Sequence, residues 1–321
     1  MFRSLLISSL LLGVSSLLSG NSIAQTYPTR TITAVVPFAA GSSNDTVGRI
    51  IAPRLAKALG QSVVIQNKPG ADGLIGIQQV AEAAPDGYTI LFSAGAVVLA
   101  PALHKTIGYD PEKNIMAIAS LGISPYIIAA STKLNIKTLP ELLSYLKANP
   151  GKLNVPTSGN SSRAFAELFK QVTQTDFTIV NYNGTGGAST SLLSGETDFA
   201  LLDSASFGMA TADRIKLLAV AGNQRIETRP ELPTSVEAGL PGYQASAFFG
   251  VFMPGGVPDV IADRLNSEIN KILLSSEVKV EFERLGITPS ATDRKAFNLR
   301  YHEELKTWKD VVQKAGIPLA D

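Results

Sequence analysis

Cysteine is absent from this 321-residue chain. Disulfides, thiolate metal ligands and a lipid attached at a cleavage-site cysteine are thereby excluded. Histidine occurs only at His104 and His302 and tryptophan only at Trp308. Two isolated histidines without an H-E-x-x-H pattern make no recognisable zinc site. Charge of one sign is lacking too: 28 Lys and Arg against 27 Asp and Glu give a net charge of +1. Nothing in that balance recruits nucleic acid or an anionic membrane. A Walker A sequence is missing, and the glycines of NKPGADGLIG run G-x-x-G-x-x-G instead of the dinucleotide fingerprint G-x-G-x-x-G. That segment reads as a turn and a helix start.

What is present is apolar: 45% of residues are hydrophobic and 17% charged, enough for sizeable cores. The first residues, MFRSLLISSLLLGVSSLLSGNSIAQ, follow the plan of a secretory signal peptide. Arg3 precedes a Leu-rich stretch, and small residues stand at Ser22 and Ala24. A membrane anchor is the competing reading, but the apolar stretch is broken by serines and falls short of the ~20 residues a bilayer needs. Residues 1–24 are therefore expected to be cleaved near Ala24, leaving an exported periplasmic chain without a lipid anchor. No later apolar run reaches ~18 residues. The remaining length suits about two domains at ~100–200 residues each.

β-branched runs alternate with segments of helical period. TITAVVPF reads as a strand, and NDTVGRIIAPRLAKALG as a helix with Val47, Ile50, Ile51, Leu55 and Leu59 on one face. Pro53 should kink or split that helix. SVVIQ, LIGIQQVAEAA and YTILFSAG continue the rhythm as strand, helix and strand. It restarts at YIIAAS and runs through TLPELLSYLKANPG, LNVPTSG, SSRAFAELFKQVT, FTIVNY, GASTSLLSGE, TDFALLD and IKLLAVAG. ASAFFGVFMP is a further strand, and the chain ends in three helical segments. The expectation is an α/β protein of two units, each a mostly parallel sheet flanked by helices, with the second inserted in the first.

In such sheets ligands bind beyond the carboxyl ends of strands, where helix N-termini point. A helix start carries unpaired N–H groups and partial positive charge, which suits a carboxylate or phosphate. FAAGSSND (38–45) and TSGNSSRA (157–164) each follow a strand, carry glycine and hydroxyls, and open a helix in a different unit. Ordinary capping by Ser, Asn and Asp explains one such loop. Two, one per unit, leave capping and binding evenly matched. A third loop, VNYNGTGGA, adds Tyr182 and three glycines.

Catalytic chemistry does not assemble. GNSSR resembles a nucleophile elbow, but Arg163 stands where the second glycine belongs. A hydrolase using Ser161 or Ser162 with Asp203 is the rival reading; Asp203 equally suits a turn or the orientation of a ligand. His302 reads as solvent-facing on a charged helix, and Trp308 as packing.

YPTRTITAVVPFAAG, VVIQNKPGADGLIG, APDGYTILF, LKANPGKLNVPTSGNSS and RPELPTSVEAGLPGY followed by FFGVFMPGGVP together resemble the Bug-type extracytoplasmic receptors, the solute-binding components of tripartite tricarboxylate transporters. The resemblance spans nearly the whole chain after the leader. It implies a two-domain periplasmic-binding-protein flytrap, with residues 25–124 and 245–321 as domain 1 and 125–244 as domain 2. A small carboxylate ligand would lie between them, and the hinges would fall near Ser124 and Ala245. Carried over, the ligand contacts are Phe38, Ala40, Gly41, Ser42, Ser43, Asn44 and Asp45 from the first loop, and Ser158, Gly159, Asn160, Ser161 and Ser162 from the second. Ser93, Ala94, Tyr182, Gly184, Thr185 and Asp203 complete the set. The resemblance implies no cofactor, no metal and no enzymatic activity, a monomer, and membrane permease subunits as partners. Presentation of the ligand to a membrane kinase is an alternative that shares the same binding physics. Two departures matter: the first loop has Ala40-Gly41 where the family has a glycine pair, and Asn183 stands where a basic residue is common. One fixed positive charge fewer disfavours an acid such as citrate and leaves mono-, aromatic and amino acid-like carboxylates open.

Overall fold

The computed structural model describes residues 27–182, 184–204, 214–227, 229–314 and 316–320, with the side chains of Asn160, Ser161 and Lys314 left aside. The expected leader and Asn183 lie outside the described residues. Three parallel strands begin the fold: β1 (Ile32–Val36) lies between β2 (Val63–Asn67) and β3 (Thr89–Ser93). Between them run α1 (Ser43–Leu59) and α2 (Leu74–Ala81), then α3 (Ala96–Leu103) and the short α4 (Pro111–Asn114).

Sequence periodicity explains α1. Val47, Ile51, Leu55 and Leu59 recur every four residues, all are buried, and Gly60 ends the helix with φ +69°. Pro53 does not split it; the helix runs on to Leu59. A proline removes one intrahelical bond, but here the packed stripe on both sides holds the backbone in place.

β4 (Ile115–Ser131) is far longer than the strand expected from YIIAAS. Its first part pairs antiparallel with β9 (Ser246–Pro254), from Ile115 opposite Pro254 to Pro125 opposite Ser246. From Tyr126 onward its partners change to β7 (Phe199–Asp203) on one side and β8 (Ile215–Val220) on the other. The sheet order is β10 (Thr288–Pro289), β4, β9, β3, β1, β2, with β7 and β8 joined to the far end of β4. It is thus mixed: parallel at β2-β1-β3 and antiparallel around β4 and β9, because the chain enters and leaves the second unit along neighbouring strands without a crossover helix.

Within the second unit come α5 (Leu139–Ala148), β5 (Asn154–Thr157), α6 (Asn160–Thr173), β6 (Thr178–Asn181) and α7 (Thr185–Ser194). β5 and β6 are parallel. Phe169, Phe177, Phe199 and Tyr243 form an aromatic cluster at its centre, with ring centroids 5.0–6.2 Å apart. A second apolar cluster, including Ile127, Ala188, Leu192 and Leu202, covers the other face.

The chain closes with α8 (Asp259–Leu273), α9 (Ser276–Arg284), the two-residue β10 (Thr288–Pro289) and α10 (Arg294–Lys314). α8 packs on α1 and β4, and α10 on α3 and β4. Both terminal helices therefore cover the first sheet although the second unit separates them from it in sequence.

Candidate functional site

Four helix starts face one cavity between the units. At α1 the N-cap Ser42 accepts the Asp45 N–H at 3.3 Å. The Asp45 carboxylate turns back into the loop, taking the Gly41 N–H at 2.9 Å, Arg49 Nε at 2.8 Å and Asn67 Nδ2 at 3.0 Å. Burial raises the pKa of this carboxyl, but the Arg49 guanidinium, the Gly41 amide and Asn67 outweigh it and hold Asp45 below the ordinary carboxylate range. Asn44 ties the same turn to the next loop by accepting the Ala94 N–H at 2.6 Å.

The other three starts are different. α3, α6 and α7 begin at Gly95, Gly159 and Gly184, and none of them has a side chain capping its first turn. Elsewhere, Asp110, Thr138 and Ser275 cap their helices with side-chain oxygens, while α2 and α8 start without a capping side chain at Gly73 and Pro258. A glycine N-cap leaves the first-turn N–H groups without a competing side chain and lets another group approach the backbone. Ser162 Oγ accepts the Ser158 N–H at 2.6 Å and donates to the Gly159 carbonyl at 3.0 Å, so it fastens the approach to α6.

About 710 Å³ of space free of protein atoms lies among these starts, open mouth included. Phe38, Tyr126, Phe165, Phe248, Leu99 and Trp308 supply its apolar walls. Phe165 stacks on Tyr126 with centroids 4.3 Å apart and meets Trp308 edge-on at 4.9 Å. Burial and the neighbouring Asp203 carboxylate hold the Tyr126 phenol well above its ordinary pKa, so it remains protonated.

Of the residues singled out from sequence, Phe38, Ser42, Ser43, Asn44, Ala94, Ser158, Gly159, Ser162, Gly184, Thr185 and Asp203 line this cavity. Ala40, Gly41, Asp45, Ser93 and Tyr182 stand outside its lining. Ala40 and Gly41 are exposed, Asp45 is engaged in the loop, and Ser93 Oγ donates to the Ala94 carbonyl. Tyr182 packs with the second apolar cluster. The Asn160 and Ser161 side chains fall outside the described residues.

Gly95 and Ala96, within the Ser93–Ala96 loop that the family resemblance also marked, line the cavity too; sequence reasoning missed Asp72, Leu99, Tyr126, Phe165, Ser246, Ala247 and Phe248, and read Trp308 as packing alone. The lone tryptophan and the acid inside GADG were the available signals. His104 closes α3 in a bridge with Ala320 and His302 lies half-buried on α10, so no imidazole stands beside Ser162.

A family model described as "Tripartite tricarboxylate transporter family receptor" matches residues 47–317. The chain belongs to this family. Protein BugT of Bordetella pertussis is 32% identical to the receptor over 306 residues, 92% of each chain. Among solved structures, an R. palustris protein with adipate is 30% identical, with a TM-score of 0.87 over 92% of the receptor and 100% of that chain. MatC from Rhodopseudomonas palustris with bound malate is 34% identical, with a TM-score of 0.83 over 89% of the receptor and 100% of that chain. The fold is therefore the two-domain α/β architecture of periplasmic solute-binding proteins, and the family is one of receptors. No helix among the described residues is long and apolar enough to cross a membrane.

Proposed function

We propose that this receptor takes a small carboxylate-bearing ligand into the cavity between its two lobes and delivers it to the membrane permease subunits of a tripartite transporter. The observation that carries the reading is the convergence of three helix N-termini, at Gly95, Gly159 and Gly184, on one cavity without capping side chains. The ligand's carboxylate oxygens accept N–H groups of the α6 and α7 first turns, whereas at α3 the Val97 and Val98 N–H groups already donate to the Ala94 and Gly95 carbonyls. A partly buried helix start is worth up to ~2 kcal/mol for an anion. Micromolar binding needs about −8 kcal/mol. These helix starts, hydroxyls at Ser42, Ser43 and Ser158, and apolar walls are of the right order to reach it. Similarity to proteins solved with adipate and with malate supports a carboxylate.

In this reading residues 1–24 are removed near Ala24 on export, and the mature receptor works as a monomer in the periplasm. Residues 25–124 with 245–321 form one lobe and 125–244 the other. Ligand closes the lobes about Ser124 and Ala245, because only a preference for the closed state can shift that equilibrium.

The test is a thermal-shift and calorimetric screen of residues 25–321 against adipate, malate and monocarboxylates. Stabilisation follows mass action and reaches ~2.7 kcal/mol at a hundredfold excess over Kd. Gly159→Asp, which adds a second carboxylate beside Asp72 at the α6 start and a side chain at a φ of +136°, is expected to abolish the shift. A Gly159→Asp protein that binds the same acid with undiminished affinity refutes the assignment.

A further inference from the structure

We infer that the cavity takes an acid with a single carboxylate and an apolar body, and discriminates against dicarboxylates. The inference rests on the proposal that this cavity is the ligand site. It comes from how the four helix starts around the cavity are already engaged. At α1 the first turn is capped by Ser42, and Asp45 takes the Gly41 amide. At α3 the Val97 and Val98 N–H groups donate to the Ala94 and Gly95 carbonyls, and a Cβ on Gly95 would touch Leu99 Cδ1 at 3.4 Å.

The two remaining starts differ from each other. A Cβ on Gly159 would stand 2.5 Å from Asp72 Oδ1, so a carboxylate of the protein itself lies against the α6 start. Asp72 holds that place from a left-handed turn (φ +53°, ψ +31°) ahead of α2. A Cβ on Gly184, where φ is +91°, would meet no atom of the described residues within 4 Å beyond its chain neighbours. The α7 start, beside an α6 start shared with Asp72, therefore has room for one carboxylate.

A second carboxylate finds no counterpart. The described lining holds no lysine, arginine or histidine, and the sequence puts none at positions 160, 161, 183 or 205–213. The walls are instead the rings of Phe38, Tyr126, Phe165, Phe248 and Trp308. Trp308 Nε1 already donates to Glu304 at 3.1 Å, so the indole offers the cavity ring surface. The serine hydroxyls at the α1 start can each give one hydrogen bond, too little to offset burying a second full charge. An aromatic or aliphatic body buries apolar area against these rings and loses no hydration of a charge.

The experiment uses pairs in which a methyl group replaces the second carboxylate: 4-methylbenzoate against terephthalate, and hexanoate against adipate. Calorimetry on residues 25–321 is expected to give at least about tenfold tighter binding for the monoacid of each pair. Asp72→Asn keeps a side chain suited to the left-handed turn and removes the charge at the α6 start. It is expected to narrow the gap roughly threefold, the size of one helix-start interaction, by tightening the diacid. A diacid that binds as tightly as its methyl isostere overturns the inference and leaves the receptor reading standing. A gap unchanged in Asp72→Asn, at an unaltered melting temperature, overturns it too, because Asp72 then does not occupy the α6 start. If none of the four acids binds, and Trp308 emission stays constant throughout, the cavity assignment falls and the inference falls with it. The wild-type comparison needs no variant to fold.

Discussion

Asp45 illustrates how a loop residue chosen for chemistry can be committed to architecture. Its carboxylate takes three donors from Gly41, Arg49 and Asn67 while its own N–H is held by Ser42. Arg49 is mostly exposed, so the ion pair itself adds little. Asparagine keeps one acceptor oxygen, so the part-buried Gly41 amide or Asn67 loses its partner, at a cost of about 1 kcal/mol. Asp45→Asn should therefore lower the melting temperature at pH 7 by that order of stability. The folded pKa is depressed, so the contribution of the charge is complete above the unfolded carboxylate range and lost as pH falls through the folded value. The difference between wild type and Asp45→Asn, followed by thermal melts from pH 6 downward, should stay constant to about pH 5 and narrow below about pH 4. A difference that widens on acidification contradicts the hydrogen-bond assignment.

At the scale of elements, the helices that periodicity reveals are those with a wet face. α1, α6 and α8 each bury one stripe, and their residues repeat at helical spacing. α3 escaped notice because AVVLAPAL is apolar on every side, buried along nearly its whole length and interrupted by Pro101. Its start was legible only as part of a loop after β3. The two polar helix mouths were legible because glycine and hydroxyls follow a strand in both. The aromatic walls were not. Tyr126, Phe165 and Phe248 belong to three separate elements, and nothing local tells a ring facing a cavity from a ring in the core. Trp308 on α10 meets Phe165 on α6, so the last helix of the first lobe touches the first turns of the second. As the chain's single tryptophan, it makes emission a direct reporter of the cavity. Titration with an acid that raises the melting temperature should shift or quench Trp308 emission with the same midpoint as calorimetry. Phe165→Leu should shift the unliganded spectrum. Emission that stays flat at saturation places the ligand elsewhere.

For the whole molecule the decisive feature is how few strands join the lobes. β4 passes from one to the other without a break, changing partners between Pro125 and Tyr126, and the chain returns at Ala245 beside it. Tyr126 N–H donates to the Ala245 carbonyl at 2.9 Å, and Ala221 N–H to the Tyr126 carbonyl at 2.8 Å. Pro125, in register with Ser246, has no N–H to contribute where the partners switch, and the bonds at Tyr126 and Ala245 carry the pairing past it. Two adjacent extended crossings resist sliding, and a hinge at this point is the expectation that scattering tests. Ser124 and Ser204 hydroxyls meet at 2.7 Å, and Ser204 donates to the Gly286 carbonyl at 2.6 Å, which ties the end of β7 to β4 and to the turn before β10. Small-angle scattering on residues 25–321 should therefore show a smaller radius of gyration with a saturating acid than without it, at unchanged molecular mass. Ser204→Ala, which removes the donor to Gly286, should loosen the liganded form and raise its radius toward the unliganded value. If saturation leaves the radius where it was, the crossing at Pro125 and Ala245 is a rigid neck, and binding must proceed without movement of the lobes.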